Sequence, residues 1–291
     1  MTTNLPANLN DVSDEELNAA LGISHDNGFD NVTRLKINKD AEDDQEKALP
    51  MGTFFIVKKD TPRVYAKEIT MRIVTRVFQY QHFDQTVKKM LDQSVLNSDL
   101  FGEFPSSSGK VKCGKLSKKQ LEGVNVSEAQ AKVQKDVKCR MFIFGLVSYK
   151  GNTQDGTEVS YVDEPVLWVP GQSGWKIMND VLESFEKQKR AGIKYPVTIK
   201  LKKEKNGAVT YYVPVPSIGS EPVKLTQVDS IAISSAMEYV KSVNNKIMTD
   251  YRRAHSKAPH ENDNTDSENV KEMGGQVRRK SDPDLDDEIP F

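Results

Sequence analysis

At 291 residues the chain has room for one large domain or two small ones with tails. Apolar residues make up 37% and charged residues 29%, so part of the chain is expected to stay unpacked, and the lack of any long apolar run excludes a helical membrane span. With only two cysteines, Cys113 and Cys139, a disulfide scaffold is excluded and a reducing cytoplasm is the expected compartment.

The net charge of −1 hides a segregation. Residues 1–47 carry eleven acids and four bases, residues 48–251 carry twenty-one acids and thirty bases, and residues 252–291 carry ten acids and seven bases. A basic body between acidic ends suits a polyanionic partner, and the plainer reading of the same figures is a mildly basic globule.

In chain order, the opening MTTNLPANLN is polar and has no signal-peptide pattern. Ser13-Asp14-Glu15-Glu16 forms a capping box before Leu17, Ala20 and Leu21, with Gly22 as a stop, which predicts a two-turn helix. RLKIN (34–38) alternates like a strand and runs into DAEDDQEK, so residues 1–48 read as an acidic arm. TFFIVKK (53–59) is a strand, and RVYAKEITMRIVTRVFQYQHF (63–83) is a long one. Its alternation puts Ile69, Met71, Ile73 and Val77 on a core face, with Thr70, Arg72, Val74, Arg76, Phe78 and Tyr80 on the other.

Asp84 caps a predicted helix bearing Val87, Met90, Leu91 and Val95 on one side. Residues 103–124 are rich in Ser, Gly and Lys and read as a mobile basic loop or loose hairpin, and Ser127 with Gln130 opens a short helix. KCRMFIFGLVSYK (138–150), VSYV (159–162) and PVLWVP (165–170) are three strands. GWKIMNDVLESFEKQKRAG (174–192) is a helix with Ile177, Val181, Leu182 and Phe185 inward. YPVTIKLKKEKNGAVTYYVPVP (195–216) is a hairpin turning on Asn206-Gly207. Residues 226–254 form an amphipathic helix striped by Ile233, Met237, Val240, Val243 and Ile247, and residues 255–291 read as a disordered linker and tail.

No strict β-α-β alternation is visible. The expected fold is mainly β (α+β), an elaborated OB-fold-like barrel of the Greek-key kind over residues 49–225, with added helices and disordered acidic termini. The pattern also permits another α+β domain. The 226–254 helix either covers its own barrel or makes a homodimer.

Unspecific binding of single strands requires cations for phosphates and flat rings for bases on one surface. Arg72, Arg76, Phe78 and Tyr80 supply both on one predicted strand face. A two-residue turn at Asn206-Gly207 would pair Lys202 with Tyr211 and Lys200 with Val213, adding Lys200, Lys202 and Tyr211. Arg140 and Phe142 share a face that serves equally as core. Lys110, Lys112 and Lys115, with Lys118 and Lys119, form a ring-free basic patch, either a phosphate-gripping flap or a solvated loop. Trp168 and Trp175 read as core residues.

Enzyme signatures are missing from the sequence. Gly109 to Leu116 nearly matches a phosphate-binding loop, but Leu116 stands where a hydroxyl must reach magnesium and FPSSS precedes it instead of a strand. The four histidines are scattered, and His82, Cys113 and Cys139 are the only weak candidates for a metal set. The expectation is a non-enzymatic protein with no cofactor or metal.

The chain closes on DPDLDDEIPF, five acids followed by Ile289, Pro290 and the terminal Phe291. Asp284, Asp286, Asp287, Glu288, Ile289, Pro290 and Phe291 resemble the C-terminal tip of bacterial single-stranded DNA-binding proteins, which has acids and then Ile-Pro-Phe. The resemblance covers six to ten residues. The longer body and different opening look more like a phage-type single-stranded DNA-binding protein. The resemblance implies unspecific coating of single-stranded DNA in replication, recombination and repair. It also implies a tip that docks a polymerase, primase-helicase or nuclease and competes for the DNA groove. The alternative is an interaction module of a replication complex that does not itself touch DNA.

Overall fold

The structure is a computed structural model and describes residues 33–42 and 48–256. The helix expected at 13–21, the acidic run 43–47 and everything from 257 onward, including the tip, lie outside the described residues.

Among the described residues nine strands and four helices make a mainly β, mixed architecture. The strands are β1 (Arg34–Ile37), β2 (Phe54–Val57), β3 (Tyr65–Ala66), β4 (Glu68–Asp84), β5 (Lys89–Gln93), β6 (Val137–Asn152), β7 (Glu158–Trp168), β8 (Val197–Asn206) and β9 (Val209–Ile218). The helices are α1 (Lys118–Leu121), α2 (Glu128–Asp136), α3 (Gln172–Lys187) and α4 (Gln227–Ser256). No helix among the described residues is long and apolar enough to cross a membrane.

The sheet order is β3-β2-β1-β7-β6-β4-β8-β9, with β5 beside β4, and β3 also pairs with β6 through Tyr65 and Asn152. The pairings of β1, β2, β3, β6 and β7 therefore run in a ring. Each successive pair is antiparallel, and β1 meets β7 in parallel. Parallel closure is forced, because the first and last strands of a five-strand meander point the same way. The chain visits the ring in sequence order, so the expected Greek-key order is not what forms. β1 also belongs to the ring, with Leu35 2% exposed, which moves RLKIN out of the expected arm and into the body.

The long strand β4 corrects the expected faces. Ile73 pairs with Gly145 and Thr75 with Phe144, so Val74 is an extra, unpaired residue. Such a bulge reverses the alternation beyond it. Ile69, Met71 and Ile73 face inward with Phe78, while Val77 crosses to the outer face and joins Phe142, Phe144 and Leu167. Gly145 stands opposite the bulge because a Cβ there would lie 2.7 Å from the Arg72 carbonyl oxygen.

Two helices cover the two faces. α3 begins after Gly171 and buries Met178, Val181, Leu182 and Phe185 against the inner cluster of Phe54, Ile56, Met71, Ile143 and Trp168. Each such side chain contributes about 1.5–3 kcal/mol of burial. α4 crosses the outer face and buries Ala232, Ala236, Val243 and Ile247. The stripe is rotated from the expected one, and Met237 is 67% exposed. Alanines let the helix lie close to the sheet, a contact that a plain count of large apolar residues does not reveal.

Other expectations shift as well. Asp84 accepts from the Thr86 and Val87 N–H groups, but the chain turns back into β5 instead of starting a helix, because such a side chain serves a tight turn as readily as a cap. VSYV and PVLWVP are one strand, β7, kinked at Asp163 with φ of 51°. In the β8–β9 hairpin Gly207 and Ala208 form the loop, with φ of 58° at Gly207, as a two-residue turn with glycine first requires. Partners slide by two residues from the expected register, so Lys202 faces Val213, Lys200 faces Val215, and Tyr211 faces Glu204. β9 is a free end of the sheet and carries Pro214 and Pro216. Their nitrogens cannot donate to β8 and take the unpaired side.

Arg72 pins α4 to the sheet. It is 7% exposed, pairs with Asp163 at 3.0 Å and with the buried Asp229 in the first turn of α4, and donates to the Ile193 carbonyl at 3.4 Å. Burial pushes the Asp229 carboxyl up, but the Thr226 N–H at 2.6 Å, its hydroxyl at 3.0 Å and the Arg72 guanidinium outweigh it and hold the group below its ordinary value. A lowered folded value means that its stabilisation is complete above the ordinary 3.8 and fades as pH falls below it. Arg72→Met should lose about 3–5 kcal/mol in urea unfolding at neutral pH, because it strands a buried carboxylate. The gap from wild type should narrow as the titration is repeated at increasingly acidic pH.

Candidate nucleic-acid interface

The residues expected to make one DNA-facing strand surface separate across the bulge. Arg72 is consumed by its two carboxylates on the outer side. Arg76 turns inward to α3, donating to the Asn179 side-chain oxygen at 2.6 Å and pairing with Glu186 at 2.9 Å. Phe78 is 2% exposed and its ring packs 5.9 Å from Trp175. Tyr80 is half-buried, edge-on to Phe104 at 5.1 Å. The four do not share a surface, and Phe78 offers no open ring face.

The hairpin lysines are exposed but paired: Lys200 with Glu68 at 3.1 Å and Lys202 with Glu204 at 2.6 Å. Tyr211 is half-buried opposite Glu204. In the 103–124 segment Lys112 lies over the Tyr80 and Phe104 rings at 5.6 and 5.7 Å, Lys115 donates to the Val137 carbonyl at 3.1 Å, and Lys110 is exposed.

That segment is not a loose flap. Phe104, Ser106 and Cys113 are buried, and α1 carries a complete capping box on Ser117 and Gln120. Its anchor is the buried Asp92, which accepts from the Ser106 and Ser107 hydroxyls at 2.7 Å each and from the Ser108 hydroxyl and N–H. These donors, all from one short segment, tie β5 to the loop.

Arg140 and Phe142 are brought together with residues that the sequence reading passed over. Both lie on the outer face of β6, where Arg140 pairs in register with Gln79 and Phe142 is 8% exposed. Between this face, β1 and α4 runs a cleft of about 340 Å³. Arg34 and Lys36 of β1 line one side, Gln79, Gln81 and Gln93 another, and Phe142, Leu167, Tyr239 and Val243 the apolar part. Among the described residues no carboxylate lines it. Burial pushes the Tyr239 phenol up, with Arg34 pulling the other way, so the hydroxyl stays neutral at physiological pH. A second cleft of about 220 Å³ continues past Tyr239 along Thr33, Phe144, Pro165 and Ser235.

The carboxamides are held in order. Gln81 donates to the Gln79 side-chain oxygen at 2.8 Å, and Gln79 donates to the Ser94 carbonyl at 2.8 Å. Gln93 stands between the anchored Asp92 and Ser94, whose hydroxyl accepts from the Tyr80 N–H at 2.9 Å. The available signals were the Arg34/Lys36 alternation, read as an arm, and three uncharged glutamines on a face reassigned by the bulge. Among the described residues the surface offers cations, amide edges and ring edges without acids, a chemistry suited to nucleotides. Among the described residues no group of His, Cys, Asp and Glu could hold a metal ion.

Comparison with protein-family models, curated proteins and solved structures finds no match to the chain.

Burial pushes the Cys113 thiol far above its ordinary value, with the nearby Asp92 charge adding to it. In native protein at about pH 8, iodoacetamide should therefore leave Cys113 unmodified. Asp92→Ala should release the Ser106–Ser108 donors and raise its alkylation rate at least about tenfold, read by peptide mass spectrometry.

Proposed function

We propose that the protein binds single-stranded DNA without sequence preference and acts by coating, not by catalysis. One observation carries this reading: a cleft on the outer sheet face that is lined by Arg34, Lys36, Phe142 and Tyr239 and by no carboxylate among the described residues, with Arg140 beside it on β6, in register with the lining residue Gln79. Cations there release counterions from the phosphates, and the rings and amides receive bases. The basic body between acidic ends adds long-range attraction. In this reading the five-strand ring plays the part of an OB-like barrel, visited in meander order, and the protein works in the cytoplasm where DNA is replicated, recombined and repaired.

The acidic tip, Asp284 to Phe291, resembles one that docks replication enzymes, and we assign it that role here. Its charge also suits it to occupy the cleft weakly when DNA is absent. DNA then displaces it and frees it for a partner.

A protein-interaction module is the second reading, and a specific observation favours it. Phe78 is buried and Arg72, Arg76, Lys200 and Lys202 all have carboxylate partners, so the ring-and-cation surface is smaller than the composition suggests.

Titration against fluorescent oligothymidine and a matched duplex, at low and moderate salt, separates the two readings. Coating predicts tight, salt-sensitive binding to the single strand and weak duplex binding. Arg34→Ala with Arg140→Ala should shallow the log K against log salt slope by about 1.4, at about 0.7 per lost phosphate contact. Removal of residues 282–291 should raise affinity at low salt. Negligible binding to oligothymidine moves the interaction module to first place.

A further inference from the structure

We infer that the cleft between α4 and the outer sheet face seats one nucleobase of the bound strand and reads its pairing edge through Gln81 and Gln93. This rests on the single-strand reading above and gives that site a ligand geometry.

The size comes first. A cleft of about 340 Å³ stands at the small end of ligand pockets, room for one base with part of its sugar and not for a stack of several. Lys36 lines it beside Arg34, and among the described residues no carboxylate does, so the exposed Lys36 ammonium suits an occupant with negative charge. Phe142, Leu167, Tyr239 and Val243 give it an apolar wall, so the occupant also has an apolar face. A nucleotide unites a phosphate with a flat ring.

The amides then specify which edge. The Gln81 amide nitrogen is committed to Gln79, and the Gln79 nitrogen to the Ser94 carbonyl. That relay fixes the Gln81 side-chain oxygen as an acceptor. The Gln93 carboxamide makes no hydrogen bond among the described residues and is free to rotate between donor and acceptor. On their pairing edges adenine and cytosine carry an exocyclic amine, guanine an amine and a ring N–H, and thymine a ring N–H. Every base can therefore meet one fixed acceptor, and one rotatable amide supplies the second contact. The pocket holds a base without choosing among the four. It also rejects duplex, because there the same edge is already paired. Preference for single strands and indifference to sequence both come from two glutamines.

The test compares oligothymidine with the same length of N3-methylthymidine, which keeps ring and phosphate but blocks the edge donor. Wild type should bind the methylated strand about tenfold more weakly, and Gln81→Leu with Gln93→Leu should bind both strands alike. Thermal melting of the variant controls for folding, and neither side chain is buried. Equal, tight binding of both strands by wild type overturns the pocket and leaves phosphate contacts in charge. The same tenfold difference in wild type and variant overturns it too, by placing the edge contact elsewhere. If wild type binds neither strand, the single-strand reading fails, and the pocket with it.

Discussion

The extra residue at Val74 decides which side chains the long strand gives to each half of the molecule. Before it, odd-numbered residues build the inner core, and beyond it even-numbered ones do. One strand can thus serve two apolar clusters, one under α3 and one under α4, and still project Gln79 and Gln81 outward beside Arg140. A straight strand would send those amides into the inner core, where unpaired they would each cost a few kcal/mol. Gly145 is the matching half of the device, because only a residue without Cβ lets β6 pass the bulged backbone.

With the faces set, α4 is held at two distant points. Asp229 meets Arg72 at its start. Fifteen residues on, the Asn244 carboxamide donates to the Leu96 carbonyl at 2.9 Å and accepts from its N–H at 2.7 Å, standing in for a neighbouring strand. The buried Ala232 and Ala236 keep the helix near the sheet between these points. Cleft width is then a property of the folded body. For the ligand proposed above the walls would be in place beforehand, so little ordering entropy would be lost on binding.

Much of this was legible in the sequence and some was not, for physical reasons. α3 was visible because Val181, Leu182 and Phe185 recur at helical spacing, and the β8–β9 hairpin because glycine marks its turn. The existence of α4 was clear, but its rotation was not. That rotation depends on an ion pair between residues 157 positions apart and on alanines, which carry little hydropathic signal. A bulge leaves no mark in a period-two pattern, so Phe78 and Val77 exchanged faces unannounced. The glutamines carry neither charge nor ring, and only the fold shows that three of them converge. Arg34 and Lys36 were seen as a strand and assigned to the wrong part of the chain.

The prolines of β9 bear on how copies would sit side by side on one strand. An outermost strand with open amides invites another chain to zip onto it, and crowding many molecules along a filament would raise that hazard greatly. Pro214 and Pro216 remove two donors from the open edge. Neighbours brought within touching distance cannot fuse readily into a shared sheet. On the coating role proposed above, neighbours would stay individually removable, as a polymerase advancing along the template would require.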